Sequence, residues 1–191
     1  KVQDIGQVVG RDTPSDQNEV GARTVVTYAV TNGTVAKVTD SAFTTATNGS
    51  SALSSSVPNI FSAELFGVVY FADGASTKQY TASTNTVATW SASSGSLPID
   101  SGNEPRLIET WRGRIVCSGV SSDPHNWYMS AMGDARNWNY SPTTTSSTQA
   151  VAGNNADAGK SQDIINAMCP YSDDVLIFFG DHSIWQMSGD P

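Results

Sequence analysis

The residues of this chain that could do chemistry fall into a few small groups. His125 and His182 are the only histidines, and each has an aspartate nearby, Asp123 and Asp181. A histidine beside a carboxylate is the arrangement of a general base or an oriented metal ligand. Both stand in turn-like segments after apolar runs, so capping of backbone groups in equivalent turns is the simpler reading. The two cysteines, Cys117 and Cys169, could form one disulfide or remain buried thiols. Both lie in or beside apolar runs, which favours thiols. No Cys-x-x-Cys or His-x3–5-His spacing supports zinc, and no metal or other cofactor is expected.

Paired carboxylates would suit glycoside hydrolysis. Glu64 and Glu109 hold comparable places in the runs before Gly67 and Gly113, and Asp173 and Asp174 are neighbours at a turn. Adjacent side chains point apart, so Asp173-Asp174 reads as turn chemistry. Glu64 and Glu109 read as polar positions facing a channel or solvent. A nucleophile elbow, a phosphate-cradling glycine loop, a calcium loop and an Asp-box are all missing. No catalytic residue is therefore expected. Trp90, Trp111, Trp127, Trp138 and Trp185 could build a sugar platform, but their recurrence at strand positions points to core packing.

Composition narrows the class further. The 191 residues include 38% hydrophobic and 15% charged, with a net charge of −8 and about a quarter Ser plus Thr. That mixture suits an all-β extracellular or virion protein better than a cytosolic enzyme. Clustered Lys and Arg, which phosphate binding requires, do not occur. An acidic surface suits a passage to which DNA does not adhere. No apolar stretch of about 18 residues is present, so membrane insertion is not expected.

Strands and tight turns must position whatever these residues do. Val25–Val30 and Val35–Thr39 flank Asn32-Gly33, a strong hairpin signal because both turn residues take positive φ. Phe66 to Ala72, Thr77 to Ala82 and Thr86 to Trp90 form a second unit. Arg106 to Trp111, Arg114 to Cys117 and Trp127 to Ala131 form a third. Ile164 to Cys169, Val175 to Phe179 and Ser183 to Met187 form a fourth. The turns align at Gly33, Gly67, Gly113 and Asp174. Residues 1–22, with Asp12-Thr13-Pro14-Ser15-Asp16, read as polar and loop-like. So do the Ser/Thr-rich stretches 41–56 and 141–162. Met132 to Trp138 is the best site for a short helix. Two regions follow: 1–56, an N-terminal hairpin with a polar loop, and 57–191, a repeated β region read as a fragment of a longer chain.

One phrase occurs twice. Trp127-Tyr128-Met129 leads to Gly133-Asp134, and Trp185-Gln186-Met187 leads to Gly189-Asp190. In each, an aromatic and a methionine two residues apart share one strand face. Trp127, Met129, Trp185 and Met187 are expected to be buried in matching positions, with Gly133-Asp134 and Gly189-Asp190 forming the turns that follow. The first copy continues to Ala135-Arg136-Asn137-Trp138 and the second does not, which fits a fragment. Repeated antiparallel units predict an all-β chain of three to four propeller blades, part of a larger propeller. A β-sandwich is the alternative.

The segments Arg106 to Val116, His125 to Ser130 and Gly133-Asp134 with Trp138, echoed by Tyr171 to Phe178 and His182 to Pro191, carry a family resemblance. They resemble the propeller-type tail proteins of short-tailed and related bacteriophages, the hub, nozzle or head-completion components. The likeness covers roughly residues 60–191. It implies a structural virion component in the phage tail, assembled with copies of itself into a ring. Its neighbours would be an adaptor and fibres or spikes, and DNA would pass through without sequence-specific binding. It transfers no catalytic residue. The rivals are a secreted carbohydrate-active propeller enzyme and a glycan- or receptor-binding module.

Overall fold

A computed structural model describes residues 2–11, 23–99 and 102–189. Among them the chain is all-β, without a helix. The expected loop Asp12 to Asp16 and residue Asp190 lie outside the described residues.

The strands form consecutive antiparallel sheets. The first contains β1 (Val2–Arg11), β2 (Arg23–Thr31), β3 (Thr34–Val38) and β4 (Phe43–Thr45), side by side in that order. The second repeats the pattern with β5 (Phe61–Leu65), β6 (Val68–Ala72), β7 (Thr77–Thr81) and β8 (Thr86–Thr89). A two-residue strand, β9 (Ser94–Gly95), follows. The third sheet orders β10 (Leu107–Trp111), β11 (Arg114–Ser118), β12 (Trp127–Met129) and β14 (Val151–Ala152). Between the last two, β13 (Asn137–Trp138) pairs in parallel with β9. The fourth sheet has β15 (Ile165–Ser172), β16 (Val175–Gly180) and β17 (Ile184–Ser188).

The second strand of each sheet shows how the sheets pack. Strand side chains alternate between faces. In β6, Val69 and Phe71 enter a core with Val26, Tyr28 and Val30 of the first sheet. Tyr70 and Ala72 enter the next core, with Ile108, Ile115 and Cys117 of the third. In β11, Val116 takes the other direction and joins Leu176, Phe178 and Met187 of the fourth. Each inner sheet therefore has a back face toward its predecessor and a forward face toward its successor. The first strands also touch in sequence, β1 with β5, β5 with β10 and β10 with β15.

Turn chemistry sets the hairpins. Asn32 and Gly33 have φ of 50° and 75°, and Arg112 and Gly113 have 52° and 68°, as a two-residue loop matched to strand twist requires. A Cβ on Gly33 would stand 2.3 Å from the Leu53 carbonyl oxygen. That oxygen's residue donates its own N–H to the Gly33 carbonyl at 3.0 Å, so the turn is closed over by the next segment.

Several expectations need correction. Val2–Arg11 is a strand, although it reads as polar. Its Gln3 is buried and serves as a staple: Nε2 donates to the Ser54 and Val57 carbonyls, and Oε1 accepts from Gly33 N. With β1 present, Gly33 lies between second and third strands, whereas Gly67, Gly113 and Asp174 lie between first and second. The turn alignment fails at Gly33 for that reason. Stretches read as loops supply β4 and β14. Met132 to Trp138 forms turns and β13 instead of a helix, and Trp138 is fully buried there.

Candidate functional site: two uncovered sheet faces

The twice-written phrase is placed unevenly. Trp127 and Met129 are buried, at 2% and 0% exposure. They pair with Ser118 and Val116 and so share the forward face of the third sheet. Met187 is buried, but Trp185 is 39% exposed, which corrects the expectation for that residue. The two copies are also not equivalent. Trp185 pairs with Phe178 and Met187 with Leu176, on the back face of the fourth sheet. A one-residue change of register flips every side chain, and Trp185 stands where Tyr128 stands in the third sheet. The two tryptophans meet across one junction, where they line a cleft of about 60 Å³ with Lys160, Phe178 and Met187. Trp127 Nε1 donates to the Gly159 carbonyl and Trp185 Nε1 to Ser183 Oγ.

Gly133 is a turn residue with φ of 75°, and its N–H donates to the Gly113 carbonyl. Gly189, at φ 81°, donates in the same way to the Asp174 carbonyl. Asp134 Oδ1 accepts from Arg136 N and shapes the turn after β12.

The polar groups are committed to structure. Asp123 accepts from Lys160 Nζ at 2.7 Å, from Asn126 Nδ2 and from Tyr128 Oη. His125 supplies its carbonyl to Ser161 N. Asp163 accepts from His182 N and Ser183 Oγ, and these bonds, the His182 N–H first, hold its carboxyl below the usual range. Asp163, Asp181 and His182 do bring three ligand-type atoms within 4.8 Å of one another. Asp174 pairs with Arg112 at 3.2 Å, joining the turns of the third and fourth sheets. Glu64 pairs across from Val69 and Glu109 from Val116. They therefore face opposite directions, toward the first and fourth sheets, and are not comparable after all. Burial raises the Glu109 carboxyl. Asp4 is raised by burial too, against hydrogen bonds from Ser62 and Tyr28.

The cysteines are free, as the apolar context suggests, but only Cys117 is buried; Cys169 is exposed. Burial pushes the Cys117 thiol up. Trp90 and Trp138 stack edge to face and both donate to the Ala135 carbonyl. With Trp111 also buried, these rings are core and form no open platform. A wider cleft of about 510 Å³ is lined by Asn59, Phe61, Asp73 and Arg106 among others. Asp73 is spent there on Ser54 N, Ala75 N, Ser76 N and Ser76 Oγ.

What sequence reasoning missed are the two ends of the stack. The back face of the first sheet presents Ile5 and Phe43, 64% and 71% exposed, with Val25, Thr27, Gln7 and Thr45, while Ala29 and Ala36 on the same face are buried. The forward face of the fourth presents Ile184, 71% exposed, with Phe179, Ile177, Gln186, Ala167 and Cys169. Neither face has an Asp, Glu, Lys, Arg or His among its described side chains on these rows. A sheet face that works in water is ordinarily polar, and contiguous apolar patches mark interaction surfaces. No protein-family model matches the chain, and no curated protein matches it.

Proposed function

We propose that this chain is a structural sector of a β-propeller and acts by assembly, without catalysis. The observation that carries this reading is the alternation along β6, β11 and β16. At every junction one side-chain parity goes back and the other forward, in chain order. Stacked blades around an axis use that arrangement. A two-layer sandwich leaves one face of each sheet outside, whereas β6 and β11 are apolar on both. The first strands, consecutive neighbours in the stack, would line the axis. They carry Asp4, Glu64 and Glu109, which lie on the sheet faces, and also Arg11 at the end of β1. The net charge of −8 suits DNA passage without adhesion. Together with the resemblance, this supports a ring-forming component of a bacteriophage tail.

The test is imaging of purified phage particles by cryo-electron microscopy, with antibody labelling of this chain. Density for stacked four-stranded sheets at a fixed copy number in the tail supports the reading. A protein found free of particles, with activity on a glycan, would overturn it in favour of the carbohydrate-active alternative.

A further inference from the structure

We infer that the wider cleft, beside the junction of the second and third sheets, is a binding site for a small acidic sugar, a pyranose carrying one carboxylate. Its volume is about 510 Å³, within the range of about 300–1,000 Å³ that small-molecule sites occupy. One wall, the segment before β5, is held by buried side chains. Gln3 Nε2 donates to the Ser54 and Val57 carbonyls at 2.9 and 2.8 Å, and Asp73 Oδ2 accepts from Ser54 N at 2.8 Å. Gln3 and Asp73 are 6% and 4% exposed. The other wall is fixed where Gly74 N donates to the Pro105 carbonyl and Arg106 N to the Ser118 carbonyl, both at 3.1 Å. A site that is rigid before its ligand arrives loses less to ordering on binding.

The lining defines the ligand by its chemistry. Among the described residues, Arg106 is the only cation of the cleft and Asp73 the only anion. No hydrogen bond or ion pair among these residues engages the Arg106 side chain, which is exposed and lies across Gly74; a Cβ there would stand 2.8 Å from Arg106 Cγ. Asp73 does not answer that charge, because its two oxygens accept from Ser54 N, Ala75 N, Ser76 N and Ser76 Oγ. A guanidinium in this state takes one carboxylate through two parallel N–H bonds. A second negative charge on the ligand would meet no second cation, and the net charge of −8 disfavours it. Phe61 supplies an apolar face. It begins the forward row of β5, whose next members Ala63 and Leu65 are buried against the third sheet, yet Phe61 itself is 44% exposed. The C–H face of a pyranose packs on such a ring. Its hydroxyls find the Ser54 and Ser56 hydroxyls and the exposed Asn59 amide in the same lining. The site binds without cleaving, because glycoside hydrolysis uses a pair of carboxyl groups and the single one here is committed.

Glucuronate and glucose are a matched pair of probes, differing only by a carboxylate in place of a hydroxymethyl group. Each is titrated into the isotope-labelled chain and followed by NMR, with a phosphorylated glucose as the dianionic comparison. Glucuronate should give saturable shifts at Phe61, Gly74 and Arg106, with an affinity at least about tenfold above that of glucose. The phosphorylated sugar should bind no tighter than glucuronate. Arg106→Gln should bring glucuronate down to the level of glucose, and Phe61→Ala should weaken both. Both positions are exposed, so the rest of each variant's spectrum should match the parent and report an intact fold. Absence of saturable shifts in the cleft overturns the inference. So do equal affinities for the two sugars, tighter binding of the phosphorylated one, or a preference for glucuronate that survives Arg106→Gln. None of these outcomes bears on assembly, because the cleft lies within one chain and needs no second copy.

Discussion

In the third sheet Trp127 and Met129 point forward onto the fourth, while in the fourth Trp185 and Met187 point back onto the third. The words are nearly the same and the directions are opposite. The connections explain it. Residues 119–126 join β11 to β12, whereas only 181–183 join β16 to β17. Connection length sets pairing register, and a one-residue slip exchanges the faces. Similar wording in two units is thus good evidence for two strands and poor evidence for equivalent positions. The consequence is energetic too: one tryptophan becomes core and the other closes the edge of a small cleft.

The largest expected effect tests that difference directly. Trp127→Ala should destabilise the fold by about 3–5 kcal/mol through lost burial and the cavity left behind, together with the bond to the Gly159 carbonyl. Chemical denaturation measures it. A cost equal to that of Trp185→Ala would erase the distinction between the two sheets.

The second effect concerns what each sheet does at the start of its second strand. Arg114 is buried, and its guanidinium donates to the carbonyls of Ser130, Gln149 and Ser147. It clamps the Ser/Thr-rich excursion that supplies β14. The matching residue in the fourth sheet is Val175, paired with Ser188. Charge-assisted bonds to buried carbonyls are individually strong. Arg114→Ala should therefore cost about 3 kcal/mol or more, and Val175→Ala about 1 kcal/mol. Limited proteolysis adds a local readout: cleavage within 141–150 should accelerate in the Arg114 variant and not in the Val175 variant.

A smaller loss is expected from Trp185→Ala, about 1–2 kcal/mol, because its ring is already partly in water. Intrinsic fluorescence of Trp185, quenched by iodide while Trp127 stays protected, would sharpen the contrast. Both rings quenched alike would contradict the burial difference.

How much of this was legible depends on which force sets each feature. Asn32-Gly33 and Gly113 announce their turns, because few residue types tolerate the required positive φ, and Asp173-Asp174 does so as a pair of turn-favouring residues. β1 does not announce itself, since Gln3, Asp4 and Gln7 look like a loop; its strand character comes from pairing with β2 and from Gln3 tying down other segments. β4 and β14 are similarly held by partners. The uncovered faces had one signal that was available. Val175 to Phe179 is apolar at both parities, as are Val68 to Ala72 and Ile115 to Cys117, and a strand apolar on both faces expects cover on both. That no segment among the described residues covers one face of the fourth sheet is a tertiary fact that no local pattern contains.

The subtlest difference between the sheets is electrostatic. Glu109 stands opposite Val116 on β10, and Cys169 holds the matching place opposite Ile177 on β15. Burial raises the Glu109 carboxyl above its ordinary value, so the folded chain holds that proton more tightly than the unfolded chain does. Its favourable contribution is complete below the unfolded value, near pH 4.3 to 4.5, and is lost as pH rises through the raised folded value. At neutral pH the half-buried charge is therefore a cost, and one that Cys169 does not impose on the fourth sheet in this form. Glu109→Gln removes it. The variant should melt higher than the parent at about pH 7 and nearly alike at about pH 4, with the slope left by Asp4, also raised by burial, still present. Thermal denaturation across that interval checks the sign. If Glu109→Gln instead lowers the melting temperature at neutral pH, the carboxylate is making an interaction that outweighs its burial, and the third sheet's forward face is more polar in function than its packing against the fourth implies.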